Sequence, residues 1–134
     1  MENIDKLKIL VVDDSATARH GLVSMLTKLG AARPAEAGSV EEAFNVLKRE
    51  HEKTAFHLIL CDHIMHEKTG LDLLKSVRSE VTMKNVLFVV ITAQADSEII
   101  LDYVQAGSVG YINKPVQLKD LQDKLSVALA QLGA

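Results

Sequence analysis

Five residues whose side chains could do chemistry together stand at or just after the ends of short apolar runs. They are three carboxylates, one hydroxyl and one ammonium: Asp13, Asp14, Asp62, Thr92 and Lys114. Carboxylates within a few ångströms of one another raise each other's pKa, so a group of three at neutral pH requires a cation. Oxygen-only ligands select Mg²⁺ or Ca²⁺. Two or three carboxylates without a full cage favour a hydrated Mg²⁺ that can also bind phosphate oxygens.

Asp62 interrupts the stretch LILCDHIMHEKTG, residues 58–70, which begins as an apolar run. A carboxylate can act as a nucleophile toward phosphorus. Mg²⁺, the Lys114 ammonium and the Thr92 hydroxyl would then neutralise the charge on the transferring oxygens. Alone, each residue has a simpler explanation, such as a helix cap, a turn or a solvated side chain. Their joint placement favours a phosphoacceptor site at Asp62.

Apolar runs predict the strands that would carry these residues. Four runs stand out, at 8–12, 56–61, 86–91 and, more weakly, 109–112, and spacing requires a further strand around 32–37. None of the four runs alternates polar with apolar residues. Continuous apolar character predicts strands that are covered on both faces, as in a parallel sheet between helices.

Five helical patterns alternate with these strands. Gly30 ends the first, Ser39 with Glu42 forms a capping box for the second, and the fourth runs from Asp96 or Ser97 to Gly107. The third carries Leu71, Leu74 and Val77, and the fifth continues to Gly133 and Ala134. Alternation with short connections predicts one doubly wound α/β domain over residues 1–134. Its reactive groups should gather beyond the carboxyl ends of the central strands.

Composition excludes several functional classes. The formal net charge is -3, and Lys and Arg are scattered, so we expect no nucleic-acid partner. No segment has the 18 or so apolar residues of a membrane span, and the first residues show no signal peptide, so we expect no membrane association. The single cysteine, Cys61, cannot form an internal disulfide. These features predict a cytoplasmic protein.

Dispersed motifs, in order along the chain, carry a resemblance to a known family. They are VVDDSATAR at 11–19, the spacing of Asp62, Met65 and Gly70, ITA ending at Ala93, and YINKP at 111–115. On these residues the chain resembles the response-regulator receiver domain of two-component signalling, of the stand-alone chemotaxis type. The resemblance implies a flavodoxin-like fold, with a five-stranded parallel sheet in order 2-1-3-4-5 and five helices.

The resemblance also implies roles at the site. Asp62 would be phosphorylated, Mg²⁺ would be held by Asp14, Asp62 and the backbone carbonyl of Ile64, and Asp13 would act mainly through bound water. Mg²⁺ is the only cofactor expected. The family usually has proline where this chain has His66, a departure expected to alter the stiffness of the loop and not the charged constellation.

Further roles concern the phosphoryl group and its readout. The resemblance implies that Thr92 and Lys114 contact the phosphoryl group and that Tyr111 is the switch aromatic. Ile64 and Gln94 would tune hydrolysis of the aspartyl phosphate. The donor would be a sensor histidine kinase or a histidine phosphotransfer protein, and a target protein would bind helix 4, strand 5 and helix 5. The chain would catalyse only its own phosphorylation and dephosphorylation, so it would not be an enzyme.

Other functions remain open at this point. The chain could be a relay intermediate that passes phosphate to a histidine phosphotransfer protein, or a receiver-like module that is never phosphorylated. A haloacid-dehalogenase phosphatase needs Asp-x-Asp, whereas Asp13 and Asp14 are adjacent here. A zinc site built from His57, Cys61, His63 and His66 lacks a second ligand pair to complete a tetrahedron.

The fourth helix is apolar beyond one stripe. Its apolar residues cannot all face the sheet: Ile99, Ile100, Leu101, Tyr103 and Val104. They either make extra contact with a neighbouring helix or form a partner-binding surface. We expect a switch at Tyr111 to reshape the surface around Ile100 and Tyr103.

Overall fold

Five parallel strands form a single sheet in this computed structural model, which describes residues 1–132. The strands are β1 (Ile9–Val12), β2 (Ala35–Ala37), β3 (Leu58–Asp62), β4 (Leu87–Thr92) and β5 (Gly110–Asn113). Their order in the sheet is β2-β1-β3-β4-β5, which confirms the predicted fold. The chain reverses its direction of winding at β1, so the carboxyl ends of β1 and β3 flank the switch point where sites form in such sheets.

Five helices cover the sheet: α1 (Ala16–Lys28), α2 (Val40–Glu50), α3 (Gly70–Ser79), α4 (Ser97–Ala106) and α5 (Leu118–Leu132). Two short 3-10 helices, Ile4–Lys6 and Val81–Met83, were not predicted. The expected end of the fifth helix at Gly133 and Ala134 lies outside the described residues. Within residues 1–132, no helix is both long enough and apolar enough to cross a membrane.

Local capping sets the helix boundaries. The Ser39 hydroxyl accepts from the amide of Glu42 at 3.0 Å, as a capping residue should. The Glu42 carboxylate, however, accepts from the amide of Gly38, so the predicted capping box is only half formed. Asp96 caps α4 through the amide of Ile99 at 3.0 Å. Gly107 ends that helix with a φ of 106°, in the left-handed region that favours glycine.

Two apolar layers form the core, one on each face of the sheet. Alternate residues of β1, β3 and β4 enter opposite layers. Leu10, Ile59 and Phe88 pack on the side of α2, α3 and α4, whereas Val11 and Leu60 pack on the side of α1 and α5. Every residue of β1, β3 and β4 is buried, which confirms the prediction from their continuous apolar runs.

Strand β5 departs from that prediction. Ile112 is buried, but Tyr111 is 39% exposed and Asn113 is also exposed. Because β5 is the edge strand beside β4, one of its faces meets solvent, and the expectation that it is covered on both faces is wrong.

Helix α4 divides its apolar residues between the core and solvent. Leu101 and Val104 are 54% and 53% exposed, whereas Tyr103 is only 1% exposed. The Tyr103 ring stacks against Phe88 of β4, with ring centroids 6.3 Å apart. The expectation that Tyr103 belongs to the surface is therefore wrong, because its ring fills the layer between α4 and the sheet.

Candidate functional site

Three carboxylates meet at the carboxyl edge of the sheet. Asp13, Asp14 and Asp62 each offer an oxygen, and these oxygens all lie within 4.8 Å of one another. The register pairs Val12 with Cys61, so the next residues along β1 and β3, Asp13 and Asp62, emerge side by side. Asp13 and Asp62 are buried and Asp14 is exposed. The predicted convergence of the carboxylates is confirmed, and the cluster could hold a metal ion.

Lys114 supplies the positive charge of the site. Its Nζ lies 2.8 Å from Oδ1 of Asp62 and 3.7 Å from Oδ2 of Asp13. The Lys114 amide donates to the carbonyl of Thr92 at 3.0 Å, which ties the residue to the end of β4. Burial alone would lower the pKa of Lys114, but the hydrogen bond to Asp62 and the charges of Asp62 and Asp13 raise it overall. The lysine is therefore fully protonated at neutral pH.

Asp62 experiences opposing influences on its ionisation. Burial raises its pKa most, the hydrogen bond from Lys114 lowers it, and the neighbouring Asp13 and Asp14 charges raise it again. The net pKa of Asp62 is raised above its ordinary value. The folded protein therefore holds this carboxylate at a cost in free energy, which an added cation would reduce.

Backbone contacts hold Asp13 at the end of β1. Its amide donates to the carbonyl of Ala37 at 3.1 Å, its carboxylate accepts from the amide of Ser15 at 2.9 Å, and its carbonyl accepts from Arg19 at 2.8 Å. These bonds fix the chain as it leaves β1 and turns into α1. The backbone that carries the Asp13 carboxylate is therefore held in place at the end of β1.

His66 contacts the acidic cluster through its backbone. Its amide donates to Oδ2 of Asp14 at 2.9 Å. Proline, the usual family residue at this position, has no amide hydrogen. The three carboxylates come together with histidine at this position, as expected, and the His66 amide adds a donor to Asp14 that proline would lack.

Thr92 ends β4 and lies in the interior, with 2% of its surface exposed. Its hydroxyl oxygen accepts a hydrogen bond of 2.9 Å from the backbone amide of Gln94. The residue Gln94 is exposed in the loop after β4. Tyr111 stands on the neighbouring strand β5, where it is paired in register with Val90. Ile64 follows Asp62 by two residues, with a side chain that is 56% exposed and a backbone bridged to Thr69.

The residues considered for zinc have separate partners. The Nδ1 atom of His57 accepts from the amide of Lys8 at 2.8 Å, and the Cys61 thiol contacts the Asp62 carbonyl at 3.3 Å. Burial raises the pKa of Cys61, which disfavours the thiolate that binds metals. Across residues 1–132, the three aspartates are the only group of three or more metal-ligating side chains that come together.

Sequence reasoning also missed a side-chain contact beside the site. The Tyr103 hydroxyl lies 2.6 Å from Nδ1 of His63, the residue after Asp62. The two residues are 40 positions apart in the sequence, so no local pattern could reveal the pair. Gly70 was singled out in the sequence by its spacing from Asp62. A Cβ atom there would lie 2.7 Å from the Asp62 carbonyl oxygen, so only glycine fits.

Fold and site together define a class of protein. It is a doubly wound α/β domain whose switch point carries an acidic, oxygen-ligand site partly neutralised by one lysine. Residues 9–126 match the response regulator receiver domain family. Because this match spans most of the chain, the chain belongs to that family, whose members are signalling modules and not classical enzymes.

Individual relatives agree with this assignment. The chain is 36% identical over 126 residues to chemotaxis protein CheY-3 of Vibrio cholerae serotype O1, covering 94% of each chain. It is 34% identical over 119 residues to chemotaxis protein CheY of Pseudomonas aeruginosa, covering 89% of this chain and 93% of the relative. It also resembles the crystal structure of a response regulator receiver protein from Pseudomonas putida, with 30% identity and a TM-score of 0.77. That likeness covers 87% of this chain and 93% of the other.

Proposed function

We propose that Asp62 accepts a phosphoryl group in a Mg²⁺-dependent reaction and that this modification switches a protein-binding surface. The observation that carries the proposal is the contact of 2.8 Å between Lys114 Nζ and Asp62 Oδ1, inside a cluster of three carboxylates. The arrangement places a nucleophilic oxygen beside a fixed positive charge, which suits attack on an anionic phosphoryl group.

The donor set fits Mg²⁺. Carboxylate oxygens within 4.8 Å of one another are hard ligands, and their number leaves room for water and phosphoryl oxygens. Asp14, Asp62 and the backbone carbonyl of Ile64 would bind the ion directly, and Asp13 would bind mainly through water. Bound Mg²⁺ would neutralise negative charge on the phosphoryl oxygens.

The proposed transfer starts from a phosphohistidine on a sensor histidine kinase or a histidine phosphotransfer protein. A carboxylate oxygen of Asp62 attacks phosphorus, and the phosphorus–nitrogen bond breaks as the phosphorus–oxygen bond forms. The electron pair leaves with the imidazole nitrogen, which takes up a proton from water. Lys114 and Thr92 contact the phosphoryl oxygens. The Thr92 oxygen already accepts from Gln94, so its hydroxyl hydrogen remains available to donate.

Hydrogen bonds to the phosphoryl group would supply free energy of the size that a switch needs. At about 1.5 to 3 kcal/mol each, charge-assisted bonds from Thr92 and Lys114 would contribute up to roughly 3 to 6 kcal/mol, less what Lys114 loses in leaving its present contact with Asp62. Moving a two-state equilibrium from 1:99 to 99:1 needs about 5.5 kcal/mol. Thr92 would move toward the phosphoryl group and Tyr111, now 39% exposed, would turn inward. The surface of α4, β5 and α5 would change with it.

Exposed apolar residues support the location of that surface. Leu101 and Val104 of α4, Tyr111 of β5 and Val127 of α5 are all at least 39% exposed. Together with the names of the two chemotaxis relatives, this favours a chemotaxis-type output through a protein target. We further propose that residues 1–134 act as one receiver domain in the cytoplasm.

Acetyl phosphate with Mg²⁺ tests the proposal, with intact mass as the readout. We expect one phosphoryl adduct on the natural protein and none after chelation of Mg²⁺ or in Asp62→Asn. Asp123→Asn, which changes an exposed carboxylate of α5, should be modified normally. An unmodified natural protein would favour an interaction module that is never phosphorylated. An adduct that survives in Asp62→Asn would place the acceptor elsewhere.

A further inference from the structure

The Tyr103 side chain joins helix α4 to the residue that follows the acidic end of β3. Its hydroxyl lies 2.6 Å from Nδ1 of His63, and the two rings meet edge to face with centroids 5.4 Å apart. Tyr103 is 1% exposed, so this hydroxyl is shielded from solvent. A buried hydroxyl needs protein partners, because leaving it without one is unfavourable.

The Tyr103 hydroxyl can pair with the His63 ring in either direction. It can donate its hydrogen to Nδ1 of His63 or accept a hydrogen from it, depending on the tautomer of the ring. Burial is the main reason that the pKa of Tyr103 is raised, so the phenol keeps this hydrogen at every working pH.

Gly70 makes room for the contact. A Cβ atom at this position would lie 2.8 Å from the Tyr103 hydroxyl oxygen and 3.2 Å from the Cys61 sulfur. The first distance is shorter than a side chain tolerates and the second is tight, so the approach of α4 to this loop depends on glycine. A phenylalanine at position 103 would fill the same apolar space against Phe88, and the hydroxyl therefore adds a specific link to the packing.

His63 is held by its backbone on two sides already. Its amide donates to the carbonyl of Ile91 in β4 at 3.0 Å, and its carbonyl accepts from the amide of Gly70 at 2.9 Å. The side-chain bond from Tyr103 adds a third connection, from α4. Asp62 and Ile64 flank His63 in the chain, so the position of α4 bears directly on both neighbours.

We propose that Tyr103 is a positioning residue, which couples helix α4 to the acidic site through its hydrogen bond with His63. The inference rests on the proposed function in that Asp62 is the acceptor. Because coupling is reciprocal, Tyr103 would both order the loop for phosphorylation and carry a change at the site to α4. The link differs from the Thr92 and Tyr111 switch, since it joins α4 to the residue after β3 and not to β5.

Variants of the pair provide the test. Tyr103→Phe removes only the hydroxyl, and His63→Leu removes its partner nitrogen. His63→Asn keeps a group near the Nδ1 position that can form the hydrogen bond. Ser108→Ala is the matched control. It removes a different hydroxyl, just beyond the C-terminal end of α4, that contacts the carbonyls of Phe88 and Gly110. Two quantities are measured: the rate of phosphorylation by acetyl phosphate, and the shifts of α4 amide resonances when Mg²⁺ is added.

We expect Tyr103→Phe and His63→Leu each to slow phosphorylation by about threefold to tenfold, the equivalent of one hydrogen bond. The double variant should be no slower than the slower single variant, because both remove the same link. His63→Asn and Ser108→Ala should stay within about twofold of the natural protein. The α4 shifts caused by Mg²⁺ should shrink in Tyr103→Phe and persist in Ser108→Ala.

The outcomes separate this inference from the proposed function. If the natural protein is phosphorylated and Tyr103→Phe matches it in both rate and α4 shifts, the coupling is refuted and the proposed function stands. Rate effects that multiply in the double variant, with no rescue by His63→Asn, would also refute it. If the natural protein is never phosphorylated, the proposed function fails. In that case the α4 shifts alone decide whether the acidic site and α4 are coupled.

Discussion

The backbone amide of His66 donates a hydrogen bond of 2.9 Å to Oδ2 of Asp14, which closes the loop after β3 onto the end of β1. The bond joins two segments 52 residues apart. It also gives the exposed carboxylate of Asp14 a donor in the absence of metal. An amide that donates to a carboxylate is a charge-assisted bond, stronger than one between neutral groups.

This contact predicts a difference between two substitutions at one position. His66→Pro removes the amide hydrogen, whereas His66→Ala keeps it. Proline at a position whose amide is hydrogen-bonded destabilises a protein, and we expect a loss of about 1 kcal/mol in the metal-free free energy of unfolding. His66→Ala should differ by less than about 0.5 kcal/mol. Urea denaturation measures both, and equal stabilities would show that the bond contributes nothing.

The raised pKa of Asp62 predicts that replacing this residue stabilises the protein. Its pKa is raised in the folded state, so ionising it costs free energy. That cost is absent below the unfolded pKa of 3.8, grows as pH rises through the folded pKa, and is constant above it. Asp62→Asn should therefore stabilise the metal-free protein at pH 7, by about 0.5 to 2 kcal/mol.

The pH dependence of that gain is the decisive feature. The advantage of Asp62→Asn should shrink toward zero as pH falls below 3.8, where the natural carboxyl is protonated in both states. Asp123→Asn, at an exposed position, is the control for loss of one negative charge. Thermal melts across pH measure the difference. A less stable Asp62→Asn protein at neutral pH would contradict the raised pKa.

The contact of Lys114 with Asp62 predicts that phosphorylation slows when this lysine is replaced. Lys114→Met removes the ammonium that contacts Asp62 and keeps most of the side-chain length. Removing one preorganised donor that stabilises developing charge slows reactions by about 10² to 10³-fold, and we expect phosphorylation by acetyl phosphate to slow by a similar factor. Lys119→Gln, an exposed lysine of α5, should react at the natural rate. A Lys114→Met rate within about threefold of the natural protein would remove Lys114 from the proposed reaction.

The side chain of Ile64 is expected to influence how fast the aspartyl phosphate is hydrolysed. Its side chain is 56% exposed beside the site and offers no polar group to orient an attacking water. Ile64→Asn should shorten the lifetime by about tenfold, less than the full effect of general-base assistance. Ile64→Val keeps a branched apolar side chain and should decay at the natural rate. The decay of the adduct after removal of acetyl phosphate measures both, and an unchanged or slower decay in Ile64→Asn would contradict this role.

Much of the fold was predictable because burial leaves a signal in the sequence. Strands β1, β3 and β4 are buried along their whole length, so their apolar runs identify them. Strand β2 has only three residues, two of them partly exposed, and its composition carried no signal beyond spacing. The exposed face of β5 was missed because a run of four residues does not distinguish an edge strand from a central one.

The acidic site was predictable because parallel strands deliver their carboxyl ends to one edge. The alternation of strands and helices places Asp13, Asp62 and Lys114 at that edge, whereas the strand order was implied by the family resemblance. The contacts of Tyr103 with His63 and of the His66 amide with Asp14 could not, because each depends on how a loop and a distant element pack. Backbone amide donors in particular cannot be predicted from residue type, because every residue except proline has one.

Identifying the modified residue after reaction with acetyl phosphate and Mg²⁺ tests the central claim most directly. Borohydride reduces an aspartyl phosphate to homoserine, and fragmentation of the peptide that spans residues 58–70 reports which side chain was converted. We predict homoserine in place of Asp62 in the natural protein, with Asp13 and Asp14 unchanged. Conversion at either of those residues, or an intact Asp62 under conditions that label the protein, would contradict the account.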